Sequence, residues 1–159
     1  MGNPRRNRGK RRKIWKTKVW FYYLAEIAEN AENMTENQIS FQIRGAIFDV
    51  YKNLGPGLLE SVYEEALCYE LEQRGLKVER QKQVPIIYKD ITMKSDLRLD
   101  LLVEDKVIVE LKSVSEMKDI FFKQTLTYCK LMNKKLGLLV NFNADDIMDG
   151  AIFRVANGM

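Results

Sequence analysis

Two alternating runs, "SDLRLDLLV" at residues 95–103 and "KVIVELKSV" at residues 106–114, constrain this chain more than any other feature. Residues opposite one another in an antiparallel pair share a face, and a slip of one residue turns every side chain over. Matching the apolar set Leu97, Leu99, Leu101 and Val103 to Val107, Val109 and Leu111 leaves one register, closed by a loop of Glu104, Asp105 and Lys106. That register pairs Val103 with Val107, Leu101 with Val109 and Leu99 with Leu111. The opposite face follows without further choice: Asp100 stands across from Glu110, and Arg98 across from Lys112.

Opposed carboxylates on a strand pair repel one another unless a cation lies between them. A hard divalent ion with oxygen ligands is the simplest such cation. Lys112, two residues beyond Glu110, points to the same face and places a fixed positive charge beside it. Such a group can bind a metal, orient a water and neutralise charge on a phosphate under attack. The same residues also suit the solvated face of an amphipathic hairpin with ordinary cross-strand ion pairs. The hairpin alone leaves both readings open.

Around it, the spacing predicts two helices before the strands and one after. Ile39, Ile43, Ala46, Ile47, Val50 and Tyr51 recur at helical intervals over about 36–53, with Thr35 and Gln38 spaced as a capping box at the start. Gly55-Pro56-Gly57 ends that helix, and a second over about 58–74 places Leu59, Val62, Tyr63, Ala66, Leu67 and Leu71 on one face. Glu60 falls on the margin of this face beside Tyr63, so its carboxylate has a reason beyond the first-turn preference for acids. "VERQKQVPIIY" reads as a strand, with Pro85 marking an edge or a bulge. A helix over about 118–133 and the strands "LGLLVNF" and "AIFRVA" complete the chain. The order α-α-β-β-β-α-β-β predicts an α/β (α+β) layer, a mixed sheet flanked by helices.

Composition then narrows the chemistry. None of the 159 residues is histidine, which removes Ser-His-Asp and Cys-His catalysis and histidine-based zinc sites. Cys68 and Cys129 lie in separate helical patterns and suggest neither a disulfide framework nor a zinc site, consistent with a reducing, cytoplasmic setting. No apolar run reaches the roughly 18 residues that span a bilayer. Length and composition suit one globular domain, taken as residues 34–159.

The formal charge of +4 is an average over two unlike parts. Residues 1–18 carry nine of the 26 basic residues and no acid, which leaves 17 basic against 22 acidic residues beyond them, a net of −5. Residues 1–33 are expected to form a basic, disordered extension, either a nucleic-acid arm or a segment upstream of a start at Met34.

Asp100 followed by Glu110-Leu111-Lys112 on the next strand resembles the D...(D/E)-x-K signature of the PD-(D/E)XK nuclease superfamily. "GLLESVY" resembles the G-x-x-E-x-x-Y motif of the GxxExxY protein branch, and "DLLVEDKVIVELKSV" and "LGLLVNF" are similar to that branch over about residues 36–156. The resemblance implies a restriction-endonuclease-like αβββαβ core with an additional N-terminal helix. It implies that Asp100 and Glu110, the Leu111 main-chain carbonyl and Glu60 hold Mg2+ or Mn2+, and that Lys112 positions or activates the attacking water. Tyr63 and Arg98 support this group; Gln124 and Tyr128 resemble the Q-x-x-x-Y motif of the following helix. Many members of the branch carry histidine near the position of Phe121, a departure in this chain. The implied function is hydrolysis of DNA phosphodiester bonds by a metal-activated water. The alternative is a catalytically weak or inactive nuclease-fold module that binds nucleic acid or a protein. Nucleic acid is the expected partner, with a protein partner or a second copy of the chain as further candidates and no membrane.

Overall fold

The computed structural model describes residues 33–158, together with Ala25, Glu26, Glu29 and Asn30. The chain divides into two units, residues 1–33 and 34–159. In the first unit the four described residues before Asn33 are helical, and Asn33 donates to the Glu29 carbonyl from both its main chain and its side chain. The expected basic arm over residues 1–18 lies outside the described residues.

The second unit begins with helix α1, Glu36–Leu54, whose start is the capping box that the sequence shows: Gln38 N donates to Thr35 Oγ1, and Thr35 N donates to Gln38 Oε1 at 2.8 Å. Gly55 and Gly57 both take left-handed backbone angles (φ 68° and 96°), which is why the turn between the helices is built from glycine. Helix α2, Glu60–Gln73, follows. It buries Tyr63, Glu64, Leu67, Cys68 and Leu71, while Leu59 and Val62, expected on that face, are exposed. The buried stripe is therefore rotated toward a glutamate.

Seven strands come next, interrupted by one helix: β1 Val78–Gln83, β2 Ile86–Tyr88, β3 Ile91–Met93, β4 Arg98–Val103, β5 Val107–Lys112, helix α3 Asp119–Leu131, β6 Leu136–Asn141 and β7 Ile152–Ala156. Five form one sheet in the order β1-β4-β5-β6-β7, parallel only between β5 and β6. β1 is thus an edge strand, and Pro85 ends it instead of sitting within it. The run expected as one strand is split there, and β2 pairs with β3 in a separate hairpin.

Apolar residues of α1 and α2 pack on one face of the sheet against Leu101, Val103, Val107, Val109, Leu111, Leu138 and Val140. A second cluster gathers Leu99, Leu102, Ile108, Tyr128 and Cys129, with Leu97 against it. At Gly137 the sheet and α3 come so close that an added Cβ would meet Thr125 Cγ2 at 2.7 Å and Cys129 Sγ at 3.0 Å. Glycine at this point sets how near α3 lies to β6. No described helix is long and apolar enough to cross a membrane.

Candidate metal and nuclease site

The β4–β5 hairpin has the expected loop and two of the three expected apolar pairs, Val103 with Val107 and Leu101 with Val109. The third does not form. Beyond Leu101 the ladder stops, and Leu99 joins the cluster containing Tyr128 while Leu111 stays in the one beneath α1 and α2. Leu97 and Leu99, expected on one face with Leu101 and Val103, therefore lie on the other side of the sheet from them.

Where the ladder stops, the two acids take over its hydrogen bonds. Asp100 N donates to Glu110 Oε1 at 3.2 Å, and Leu111 N donates to Asp100 Oδ2 at 2.8 Å. Each carboxylate thus satisfies a main-chain donor of the opposite strand, which a splayed strand end would otherwise leave unpaired. The other oxygen of each acid is not engaged in this exchange.

Glu110 is buried at 3% exposure. Burial, followed by the charge of Asp100, pushes its carboxyl up to about 8, against the partial offset of Lys112. Asp100 is also raised, by burial first, with the Leu111 N–H and Lys112 acting in the opposite sense. The charge of Asp100 thus acts on Glu110 in the sense expected of opposed carboxylates. Lys112 Nζ lies 3.8 Å from Glu110 Oε2 and 5.3 Å from the centroid of the Phe121 ring. Phe121 thus flanks the lysine with an aromatic face, a cation–π arrangement that fixes the ammonium without hydrogen-bonding it.

Glu60 opens α2 and is exposed, its Oε1 accepting from Ser113 N at 3.1 Å just beyond β5. The Ser113 hydroxyl donates to Leu58 O at 2.6 Å. Leu58, Leu59, Glu60, Ser61 and Ser113 line an open cleft of about 410 Å³. A larger cleft, about 580 Å³, lies between α1 and α2 and shares no residue with the carboxylate cluster. Tyr63 does not reach the acids: its hydroxyl donates to Gly55 O at 2.7 Å and accepts from Leu58 N at 3.0 Å, and its ring stacks on Phe142 at 4.4 Å. It fastens the turn that delivers Glu60.

On α3, Gln124 Nε2 donates to the Tyr128 hydroxyl at 2.7 Å. The Tyr128 phenol is raised by burial and then by the charge of Glu110, so the pair lies within the electrostatic reach of the acids. Arg98 is exposed and donates to Gln81 O at 3.1 Å. Its expected partner across the hairpin, Lys112, is not in the ladder. Both cysteine thiols are buried and pushed up to about 11, chiefly by that burial, which leaves them inert as nucleophiles.

Three further residues belong to this region. Glu64, one turn after Glu60, is buried and accepts from Arg80 Nε at 3.0 Å and Gln81 Nε2 at 2.6 Å. Gln81 also approaches Asp100 Oδ1 at 3.4 Å. Asn141, at the end of β6, accepts from Val114 N and donates to Val114 O, holding the chain that leaves β5 after Lys112. Asn141 is signalled in the sequence only by polarity between buried neighbours, and Glu64 and Gln81, beside exposed Glu65 and Arg80, carry no such signal.

A family model described as PD-(D/E)XK nuclease superfamily matches residues 37–155. The chain belongs to the PD-(D/E)XK nuclease superfamily. The match takes in all but the first residue of α1, all of α2, the acidic hairpin, α3 and all but the last residue of β7. Comparison with curated proteins and with solved structures gave no match. As a member of the superfamily, the chain has a nuclease-like fold, and nucleases of this superfamily generally use divalent metals.

Proposed function

We propose that this chain is a metal-dependent nuclease of the GxxExxY branch that hydrolyses DNA phosphodiester bonds. The observation that carries the reading is the convergence of Asp100, Glu110 and Lys112 where the β4–β5 ladder ends. Among the described residues no group of three or more His, Cys, Asp or Glu side chains converges closely enough to hold an ion by itself. Two adjacent carboxylates nevertheless fit Mg2+ or Mn2+, because such ions bind through one or two carboxylates and take their remaining ligands from water and substrate phosphates. Asp100, Glu110 and the Leu111 carbonyl would hold the ion, with Glu60 as a further oxygen donor. A divalent cation there supplies Lewis acidity to the phosphoryl oxygen and lowers the pKa of water.

The chain's own residues supply the rest. Lys112 presents an ammonium to the charge that builds on the phosphate and to the attacking water, and Phe121 keeps that ammonium from swinging away. Gln124 and Tyr128 offer a neutral polar edge on α3. The test is cleavage of single-stranded, duplex and branched DNA with Mg2+ or Mn2+. Cleavage by the unaltered protein, lost in Glu110→Ala and Lys112→Ala, is expected; no cleavage of any substrate with either metal would remove the enzyme reading.

One observation favours the alternative of a nuclease-fold binding or interaction module. Beyond residue 18 the chain is net acidic by five charges, which opposes non-specific binding to nucleic acid unless a local basic path or a partner compensates. Calorimetric titration with Mn2+ separates the two: absence of binding, or binding unchanged in Asp100→Ala, favours the module.

A further inference from the structure

Gln81 lies opposite Asp100 on edge strand β1, between two intact rungs, Arg80 with Leu101 and Lys82 with Leu99. The count of residues is the same on both strands, so nothing has been inserted. Yet Gln81 alone in the strand takes a left-handed backbone (φ 48°), a conformation that non-glycine residues adopt only at a cost. Such strain persists where surrounding contacts over-determine it. Here they do: Arg98 Nη1 holds the Gln81 carbonyl, and the side-chain Nε2 is drawn to Glu64 Oε2 at 2.6 Å and toward Asp100 Oδ1 at 3.4 Å.

Glu64 is the fixed end of this chain of contacts. It is 7% exposed, and Arg80 Nε secures its other oxygen. An amide nitrogen with two hydrogens can serve two carboxylates at once. Asp100 then has Oδ2 held by the Leu111 N–H from one side and Oδ1 approached by Gln81 from the other. A lysine or arginine at position 81 would bring a positive charge to the acid and compete with a bound cation. A neutral amide orients the carboxylate and leaves its charge available.

We propose that Gln81 is a positioning residue for Asp100 and that Glu64 is its anchor, the two fixing the plane of the Asp100 carboxylate before any ion arrives. The consequence for metal affinity rests on the nuclease reading above; the consequence for the carboxylate itself does not. Groups that orient a metal ligand typically change affinity by about 10- to 100-fold when removed.

The decisive variant is Gln81→Gly, because glycine suits a left-handed backbone and removes only the side chain. In metal-free protein, hydrogen exchange followed by NMR reads the Leu111 amide, whose partner is Asp100. We expect that amide to exchange about tenfold faster in the variant. Mn2+ affinity measured by calorimetry is expected to fall about 10- to 100-fold. Gln81→Asn, which tolerates the same backbone but has a shorter reach, should follow Gln81→Gly. Glu64→Gln should move both readouts in the same direction, and adding it to Gln81→Gly should produce no further loss. An unchanged Leu111 exchange rate in both Gln81 variants overturns the proposal. So does faster exchange with unaltered Mn2+ affinity, which reduces Gln81 to a structural contact. If the unaltered protein binds no Mn2+, the metal reading fails while the Leu111 amide still decides whether Gln81 positions Asp100.

Discussion

Asp100 and Glu110 each accept a main-chain hydrogen bond from the strand that carries the other, Asp100 N to Glu110 Oε1 at 3.2 Å and Leu111 N to Asp100 Oδ2 at 2.8 Å. The pair is at once the candidate ion site and the closure of a splayed strand end. Alanine at either position therefore removes a metal donor and strands a main-chain N–H, a loss on the order of 1–3 kcal/mol in a buried setting. The amides Asp100→Asn and Glu110→Gln keep an acceptor oxygen. We expect both amide variants to lose Mn2+ binding in calorimetry while staying closer to the unaltered protein in urea unfolding than the alanine variants do.

Lys112 sits against Glu110 and Phe121, so its charge can be removed while the carboxylates stay in place. Lys112→Met should retain Mn2+ binding, or bind it more tightly, since a competing cation is gone. Cleavage, assayed at saturating Mn2+, should fall by about 100-fold or more, the usual scale for a positioned group acting on developing charge.

Stability should depend on pH through Glu110. Its folded-state value, pushed up to about 8, lies above the ordinary carboxylate value of 4.5. The folded protein therefore holds a proton that the unfolded chain has already released, and the metal-free protein loses stability as pH rises from about 4.5 to about 8. Above that range this group adds no further slope. Glu110→Gln should flatten the dependence and, at pH 8 without metal, be more stable than the unaltered protein. Urea unfolding at several pH values in the presence of a chelator checks both.

Gly137→Ala should push α3 away from β6, because its Cβ would strike Thr125 and Cys129. The expected cost is about 1–3 kcal/mol. Since Gln124 and Tyr128 ride on that helix, the variant should also lower cleavage, and thermal unfolding together with activity on one DNA substrate would show both effects.

Much of this was legible in particular residues. The hairpin register could be read because Leu101, Val103, Val107 and Val109 have to share a face, and α1 because Thr35 and Gln38 announce its start ahead of an apolar stripe. Leu99 misled, since apolarity says that a residue is buried without saying on which side of the sheet. The β2–β3 hairpin went unseen because Ile87, Tyr88, Ile91 and Met93 are exposed, so no alternation of burial marks it. Gln81 and Glu64 were invisible for a deeper reason: a left-handed residue in a strand and a bond between helix and edge strand leave no period in the sequence.

The stacking of Tyr63 on Phe142 and its two hydrogen bonds to Gly55 and Leu58 give the G-x-x-E-x-x-Y spacing a mechanical meaning. The tyrosine is a latch that closes back over the residues written before it, so the glutamate between them is aimed by the turn which that side chain holds shut. Tyr63→Phe keeps the stack and opens the latch. It should therefore cost about 1–2 kcal/mol in urea unfolding, and Ser113, whose N–H and hydroxyl bond Glu60 and Leu58, is where NMR should register the release.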